Sequence, residues 1–150
     1  MGFRDSSGEI VGFDIDLARA VAEKLGVELE VKAINWDTKE MELNSGGIDV
    51  IWNGFTITAA RDLEVEYTKP YLNNEIMIAV RADSPIRSKA DLEGKILGYQ
   101  VQSSADIAVK GDAEFFESLG DVREYDTYQD ALLDLTTSER IDAVAVDKIL

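Results

Sequence analysis

Ile48-Asp49-Val50-Ile51-Trp52-Asn53-Gly54-Phe55-Thr56-Ile57-Thr58-Ala59-Ala60-Arg61 runs from an apolar, strand-like stretch into a glycine, two hydroxyls and an arginine. Read as chemistry, the second half is an anion clamp. Gly54 lets a ligand come close to the backbone, and Thr56 offers both an N–H and a hydroxyl. Arg61 brings a planar fork of donors that matches a carboxylate in bidentate fashion. Read as topology, the first half closes a β–α–β crossover. Upstream, Val27, Leu29 and Val31 alternate with Glu28, Glu30 and Lys32, the period of a half-buried strand. A short helix through Leu43 and the turn Asn44-Ser45-Gly46-Gly47 lead to a second strand, Ile48 to Trp52. Apolar strands joined by short helical connections predict an α/β fold whose sheets are mainly parallel and flanked by helices.

The same pattern continues on both sides. Asp14 to Leu25 carries Ile15, Leu17, Ala18, Val21, Ala22 and Leu25 on one helical stripe, with Gly26 as terminator. Tyr71 to Arg81 contains the buried-type run Ile76 to Val80, after which Ala82-Asp83-Ser84-Pro85 interrupts the pattern. A partial first lobe is therefore expected over 1–82, a crossing at 83–86 and a partial second lobe over 87–150. In the second lobe Ser88 caps Lys89 to Leu92, and Lys95 to Val101 is a strand. Helices follow from about Ala105 to Leu119 and from Thr127 to Leu135, with a weaker strand, Val122 to Tyr125, between them. The last strand, Ile141 to Val146, ends in Asp147.

Composition excludes several classes. With 150 residues, 45% of them hydrophobic and 30% charged, the chain suits one domain or two small lobes. A net charge of −15 opposes binding to nucleic acid or an anionic membrane. Neither cysteine nor histidine occurs, so a thiolate nucleophile, a histidine base, a disulfide framework and a Cys/His metal cage are all absent. No cofactor or metal is implied.

Ligands of open α/β sheets bind beyond the carboxyl ends of strands, and Asn53-Gly54, Gln102-Ser103-Ser104 and Asp147 all fall at such ends. Ser103 and Ser104 precede a helix and so present amides to an anion. Asp147 carries the opposite charge. An arginine with helix-end amides, set against an aspartate, suits a zwitterion. Taken singly, Arg61 also fits a surface pair with Asp62 or Glu64, Ser103-Ser104 a plain cap, and Trp36, Trp52 and Phe55 ordinary packing.

Ser7-Gly8-Glu9-Ile10-Val11-Gly12-Phe13-Asp14-Ile15-Asp16-Leu17-Ala18, together with Gly54-Phe55-Thr56-Ile57-Thr58 and Arg61, resembles the polar amino-acid solute-binding proteins (family 3) of ABC importers. Tyr67, Lys69-Pro70-Tyr71 and Ile141-Asp142-Ala143 to Asp147 are similar to that family too. The resemblance spans nearly the whole chain. It implies a two-lobed, type II periplasmic-binding-protein-like fold, here incomplete, that closes on an L-α-amino acid in the inter-lobe cleft. Carried over by position, the Gly54 carbonyl meets the ligand ammonium, Thr56 and Arg61 bind its carboxylate, and Ser104 completes that grip. Asp147 pairs the ammonium, Trp36 forms a wall for the ligand side chain, and Asn53, Gln100 and Ser103 lie where selectivity is set.

The implied partners are an L-amino acid and a membrane ABC permease. The implied location is the periplasm, or the cell exterior on a lipid anchor, with the leader outside this sequence. Against the family pattern the chain is expected to lack a first strand and the closing helices of lobe one. A second copy, exchanging strands or lobes in a homodimer, is then expected to cover the exposed surfaces. Two other uses of such a domain stay open: a receptor's sensor module, and a small-carboxylate dehydratase with Glu40 or Asp106 as its acid or base.

Overall fold

The computed structural model describes residues 1–138 and 140–149, and its contacts divide them into two compact units, with the break between Leu72 and Asn73. The sequence puts the boundary ten residues later, at 83–86. The earlier break has a simple cause: the strand Ile76–Val80 pairs residue for residue with Ala143–Asp147 and so belongs to the second unit's sheet.

The first unit holds two short antiparallel strands, β1 (Phe3–Arg4) and β2 (Ile10–Val11), followed by helix α1 (Phe13–Leu25). Ile15, Ala18 and Ala22 form the buried stripe of α1, as their spacing requires, and the left-handed Gly26 ends it. A 3-10 turn, Trp36–Thr38, leads into the short helix α2 (Lys39–Asn44), and a second such turn covers Arg61–Leu63.

The two strands expected at 27–31 and 48–52 do not form. Neither segment takes part in a ladder among the described residues, and Asp49 lies in a bend. The alternation is real, yet a strand is stabilised by the edge it pairs with, and here Val27 and Val50 are each left 59% exposed.

In the second unit β3 (Ile76–Val80), β4 (Ile96–Gln100), β5 (Asp121–Tyr125) and β6 (Ala143–Asp147) lie in the order β3-β6-β4-β5. The β4–β5 and β4–β6 pairs are parallel, as the crossover pattern requires, and β3 is antiparallel at one edge. The helix expected from 105 to 119 is split into α3 (Ser104–Gly111) and α4 (Ala113–Ser118), because the Asp112 carboxylate caps a new start by accepting from the Phe115 N–H. Helix α5 (Tyr128–Leu133) follows β5 and passes into a π-turn, Asp134–Ser138.

Strand β6 shows how this sheet is buried on both faces. Ala143 and Ala145 pack with Leu97, Tyr99, Val109 and Phe115 on the α3–α4 side, while Val144 and Val146 pack with Ala131, Leu135 and Ile141 on the α5 side. Alternate residues along one strand thus serve two cores. Sequence turn signals hold as well: Ser88 caps the turn Lys89–Leu92 as expected, and Asp91 returns the bond to complete a capping box.

The π-turn is pinned by Asp134. Its carboxylate accepts from the Ser138 hydroxyl at 2.7 Å, from the Tyr125 hydroxyl at 2.8 Å, and from the Arg140 guanidinium. Arg140 first, then the two hydroxyls, holds the Asp134 pKa down at about 2 against an ordinary 3.8. A carboxyl whose folded pKa is depressed stabilises the fold above its unfolded pKa, and that stabilisation is lost as pH falls from about 4 through 2. Asp134→Asn is expected to remove this acid limb, so that denaturant midpoints of the variant vary less than wild type between those pH values. Parallel curves for the two proteins would show that the network carries no linked stability.

Candidate functional site

The polar groups gather into two clusters, one within each unit. In the first, Arg61 is only 6% exposed. Its Nη1 donates to the Thr56 carbonyl at 2.9 Å, and its guanidinium lies 4.6 Å from the centre of the Phe55 ring. The Thr58 hydroxyl accepts from the Arg61 N–H at 3.3 Å, which fixes the turn carrying the arginine. Phe55 in turn meets Trp36 edge-on at 5.9 Å and stacks on Tyr67 at 5.6 Å. Arg61 is therefore held as a buried cation on an aromatic wall, the setting in which a guanidinium keeps its charge and loses little freedom on pairing. The Tyr67 hydroxyl is shielded from solvent and makes no hydrogen bond, and burial pushes its pKa up.

Two more charges complete this cluster. Lys39, 2% exposed, donates to the Trp36 carbonyl at 2.9 Å and lies 5.4 Å from the centre of the Trp36 ring. It pairs with Glu40 at 3.2 Å, and the same carboxylate oxygen stands 3.9 Å from Arg61 Nε. Burial pushes the Lys39 pKa down, and Glu40 pulls it partly back.

Gly54 is set by α1. Asp14, fully buried near the helix start, accepts from the Gly54 N–H at 2.9 Å and from the Tyr71 hydroxyl at 2.8 Å. Burial first, then that bond, pushes the Tyr71 pKa up to about 12. The Gly54 amide is thus committed to Asp14, and what it offers a ligand is its carbonyl. Its φ of 58° is the left-handed conformation that glycine accepts without strain. Asn53, expected to set selectivity, instead braces the backbone of Gly2: its Oδ1 accepts from the Gly2 N–H at 2.7 Å and its Nδ2 donates to the Gly2 carbonyl at 3.3 Å.

In the second unit four elements converge on Asp147, the last residue of β6. Its carboxylate accepts from the Ser104 hydroxyl at 2.8 Å, from the Tyr128 hydroxyl at 3.2 Å and from the Asn74 amide. Ser104 opens α3, Tyr128 opens α5, and Asn74 precedes β3. All three donors are neutral, so the cluster keeps one full negative charge. Ser103 is buried as the cap of α3, its hydroxyl accepting from the Asp106 N–H at 3.1 Å, and the Gln100 amide donates to the Asp126 carbonyl at 2.8 Å. Of the sequence candidates, the structure therefore gathers Trp36, Thr56 and Arg61 in one unit and Ser104 and Asp147 in the other, while Asn53 and Gln100 bond to backbone distant in sequence and Ser103 caps its own helix.

Sequence reasoning missed Asn74, Tyr128 and Tyr67 as members of these clusters. Glu40 and Asp106, the candidate acid or base groups, are each ion-paired, Glu40 with Lys39 and Asp106 with Lys110 at 2.8 Å. No group of three or more metal-ligating side chains occurs among the described residues.

Residues 1–145 match the family described as bacterial extracellular solute-binding proteins, family 3. The arginine-binding extracellular protein ArtP of Bacillus subtilis (strain 168) is 33% identical over 94% of the chain and 54% of its own length. The L-cystine-binding protein TcyJ of Escherichia coli (strain K12) is 30% identical over 98% of the chain and 54% of its own length. Among solved structures, an ABC uptake transporter substrate-binding protein from Streptococcus pneumoniae with bound histidine superimposes with a TM-score of 0.92. It is 38% identical, with 99% of this chain and 61% of that one covered. Ancestral arginine-binding proteins bound to arginine and to glutamine score 0.85 and 0.86, at 39% and 40% identity, with 99% of this chain and 65% and 64% of theirs covered. The chain spans about half the length of the curated relatives it matches. From its first strand almost to its last residue, this chain belongs to the bacterial extracellular solute-binding proteins, family 3.

Proposed function

We propose that the protein is the solute-binding component of an amino-acid ABC importer and that it takes an L-α-amino acid. The observation that carries this is the pair of oppositely charged clusters. Arg61 is a buried cation with the Thr56 backbone beside it, and the donors to Asp147 among the described residues are neutral. In this reading the ligand carboxylate goes to Arg61 and Thr56, and its ammonium to Asp147 and the Gly54 carbonyl. Ser104 supports the ammonium partner through its hydroxyl, and Trp36 borders the side chain. Desolvating a zwitterion is repaid only when both charges are met. Relatives and neighbours named for arginine, cystine, histidine and glutamine support the ligand class.

The loaded form is then what a membrane permease receives. The protein works outside the cytoplasm, in a periplasm or held by a lipid, and no helix among the described residues is long and apolar enough to cross a membrane. Pairing with a second copy by exchange of elements would cover Val27, Leu29 and Val50, and equilibrium sedimentation tests that part separately.

Ligand class is tested by thermal shift with the common L-amino acids, each beside its carboxamide and its N-acetyl derivative. A cognate acid at a hundred times its Kd is expected to add about 2.7 kcal/mol of stability, and both derivatives far less. Stabilisation by the N-acetyl acids equal to that by the free acids would reject the ammonium role of Asp147 and favour a site for small carboxylates.

A further inference from the structure

The turn from β4 into α3 passes through Gln102, whose φ of 55° makes it the one non-glycine residue in the left-handed region among the described residues. A side chain makes that conformation costly, and glycine does not. Asp106 holds it: its Oδ2 accepts from the Gln102 N–H at 2.9 Å, while its own N–H donates to the Ser103 hydroxyl at 3.1 Å. Asp106 is 4% exposed, and its other oxygen pairs with Lys110 Nζ at 2.8 Å. Lys110 reaches on to Glu124 of β5 at 2.8 Å, so the carboxylate is tied to helix and sheet together. Ser104 stands midway between Gln102 and Asp106 and donates its hydroxyl to Asp147 at 2.8 Å. Strands β4 and β6 run parallel and side by side, which sets this turn next to the carboxyl end of β6.

We propose that Asp106 is a positioning residue for the Asp147 cluster: by accepting the Gln102 N–H it holds the left-handed turn from which α3 starts, and so keeps the Ser104 hydroxyl on Asp147. The inference rests on the function proposed above, in which Asp147 meets the ligand ammonium. Without Asp106, Gln102 relaxes toward the ordinary right-handed or extended backbone, and the start of α3 moves with it. Ser104 then leaves Asp147, and the carboxylate loses a bond that fixes its orientation. The role belongs to Asp106 as an acceptor, not as a charge, so an asparagine oxygen should fill most of it. It also acts through the turn, so a residue that takes the left-handed conformation without cost should make Asp106 less necessary.

The test is calorimetry of the 150-residue chain with L-histidine, L-arginine and L-glutamine. Asp106→Ala is expected to raise Kd for the tightest of these by about tenfold, the effect of one lost hydrogen bond in the cluster, and Ser104→Ala by a similar factor. Ser104→Ala/Asp106→Ala should be no weaker than about threefold beyond either single variant, because both act on one bond. Asp106→Asn and Gln102→Gly/Asp106→Ala should each return to within about threefold of wild type. Unchanged affinity in a folded Asp106→Ala protein would overturn the proposal. So would an Asp106→Asn protein as weak as Asp106→Ala, or a Ser104→Ala/Asp106→Ala loss equal to the two single losses combined. If Asp106→Ala does not fold, Gln102→Gly/Asp106→Ala decides, and a Kd as high as that of Ser104→Ala counts against the role.

A second readout needs no amino acid. In carbon-13 spectra the Asp147 carboxylate resonance, assigned by its loss in Asp147→Asn, should be displaced in Ser104→Ala, displaced in the same direction in Asp106→Ala, and close to its wild-type position in Asp106→Asn. If no amino acid binds but this pattern appears, the amino-acid function fails and the positioning role stands; if the resonance is the same in wild type and Asp106→Ala, the positioning role fails.

Discussion

Arg61→Ala is expected to weaken binding of the cognate amino acid by about 2 to 5 kcal/mol, or between about 30-fold and a few thousand-fold in Kd. The size follows from where the arginine sits. At 6% exposure it is already desolvated in the folded chain, so a ligand carboxylate gains a fixed, dehydrated partner without having to strip it of water. The Thr56 carbonyl and the Phe55 ring hold the fork in place before ligand arrives, which lowers the ordering cost of each new hydrogen bond. Arg61→Lys should recover only part of the loss, because a point charge cannot reproduce a bidentate fit. Calorimetry on variants with unchanged thermal midpoints checks this. A Kd within twofold of wild type for Arg61→Ala would mean that the ligand carboxylate is held elsewhere.

A large loss of stability is expected from Gly120→Ala, at about 3 kcal/mol, a large share of what holds an ordinary domain together. A methyl group at residue 120 would lie 2.4 Å from the Gly94 carbonyl oxygen and 2.7 Å from its carbon. Both are backbone atoms. Gly94 donates to the Ser118 carbonyl at 2.8 Å and Gly120 to the Lys95 carbonyl at 2.9 Å, so the two strands of chain are stitched together where the methyl must enter. Neither can move without breaking the entry to β4 or β5. Gly111→Ala is the internal control: no atom lies within 4 Å of a methyl there, so its urea midpoint should stay level or rise slightly. Equal midpoints for the two variants would show that the crossing yields more readily than its hydrogen bonds suggest.

Legibility in the sequence followed the range of the interactions involved. The clamp residues Gly54, Thr56 and Arg61 lie within one short run, and the chemistry that joins Arg61 to the Thr56 carbonyl is local. Asp147 was visible as the acid that ends a buried strand. The donors that converge on it were not, since Asn74 and Asp147 are 73 residues apart and nothing but the β3–β6 register brings them together. The partners of Asn53 and Gln100 were hidden in the same way, since their amides meet the backbone of Gly2 and Asp126, 51 and 26 residues away. Segment 27–31 has the alternation of a strand and 48–52 the apolar run of a buried one, and such patterns describe a face without supplying an edge. In the second unit the edges were supplied, and the strands expected near 96, 122 and 143 appear there within a few residues.

The antiparallel placing of β3 has a practical consequence. Its first residue pairs with Asp147, so the chain enters the second unit at the very corner where the anionic cluster is built, and Asn73, exposed just ahead of Asn74, stands at that corner. Because the sequence contains no cysteine, Asn73→Cys would create its sole thiol. If Asp147 takes the ligand ammonium as proposed, a solvent-sensitive dye attached there would report its occupancy as an optical signal, a reagentless readout of amino-acid binding.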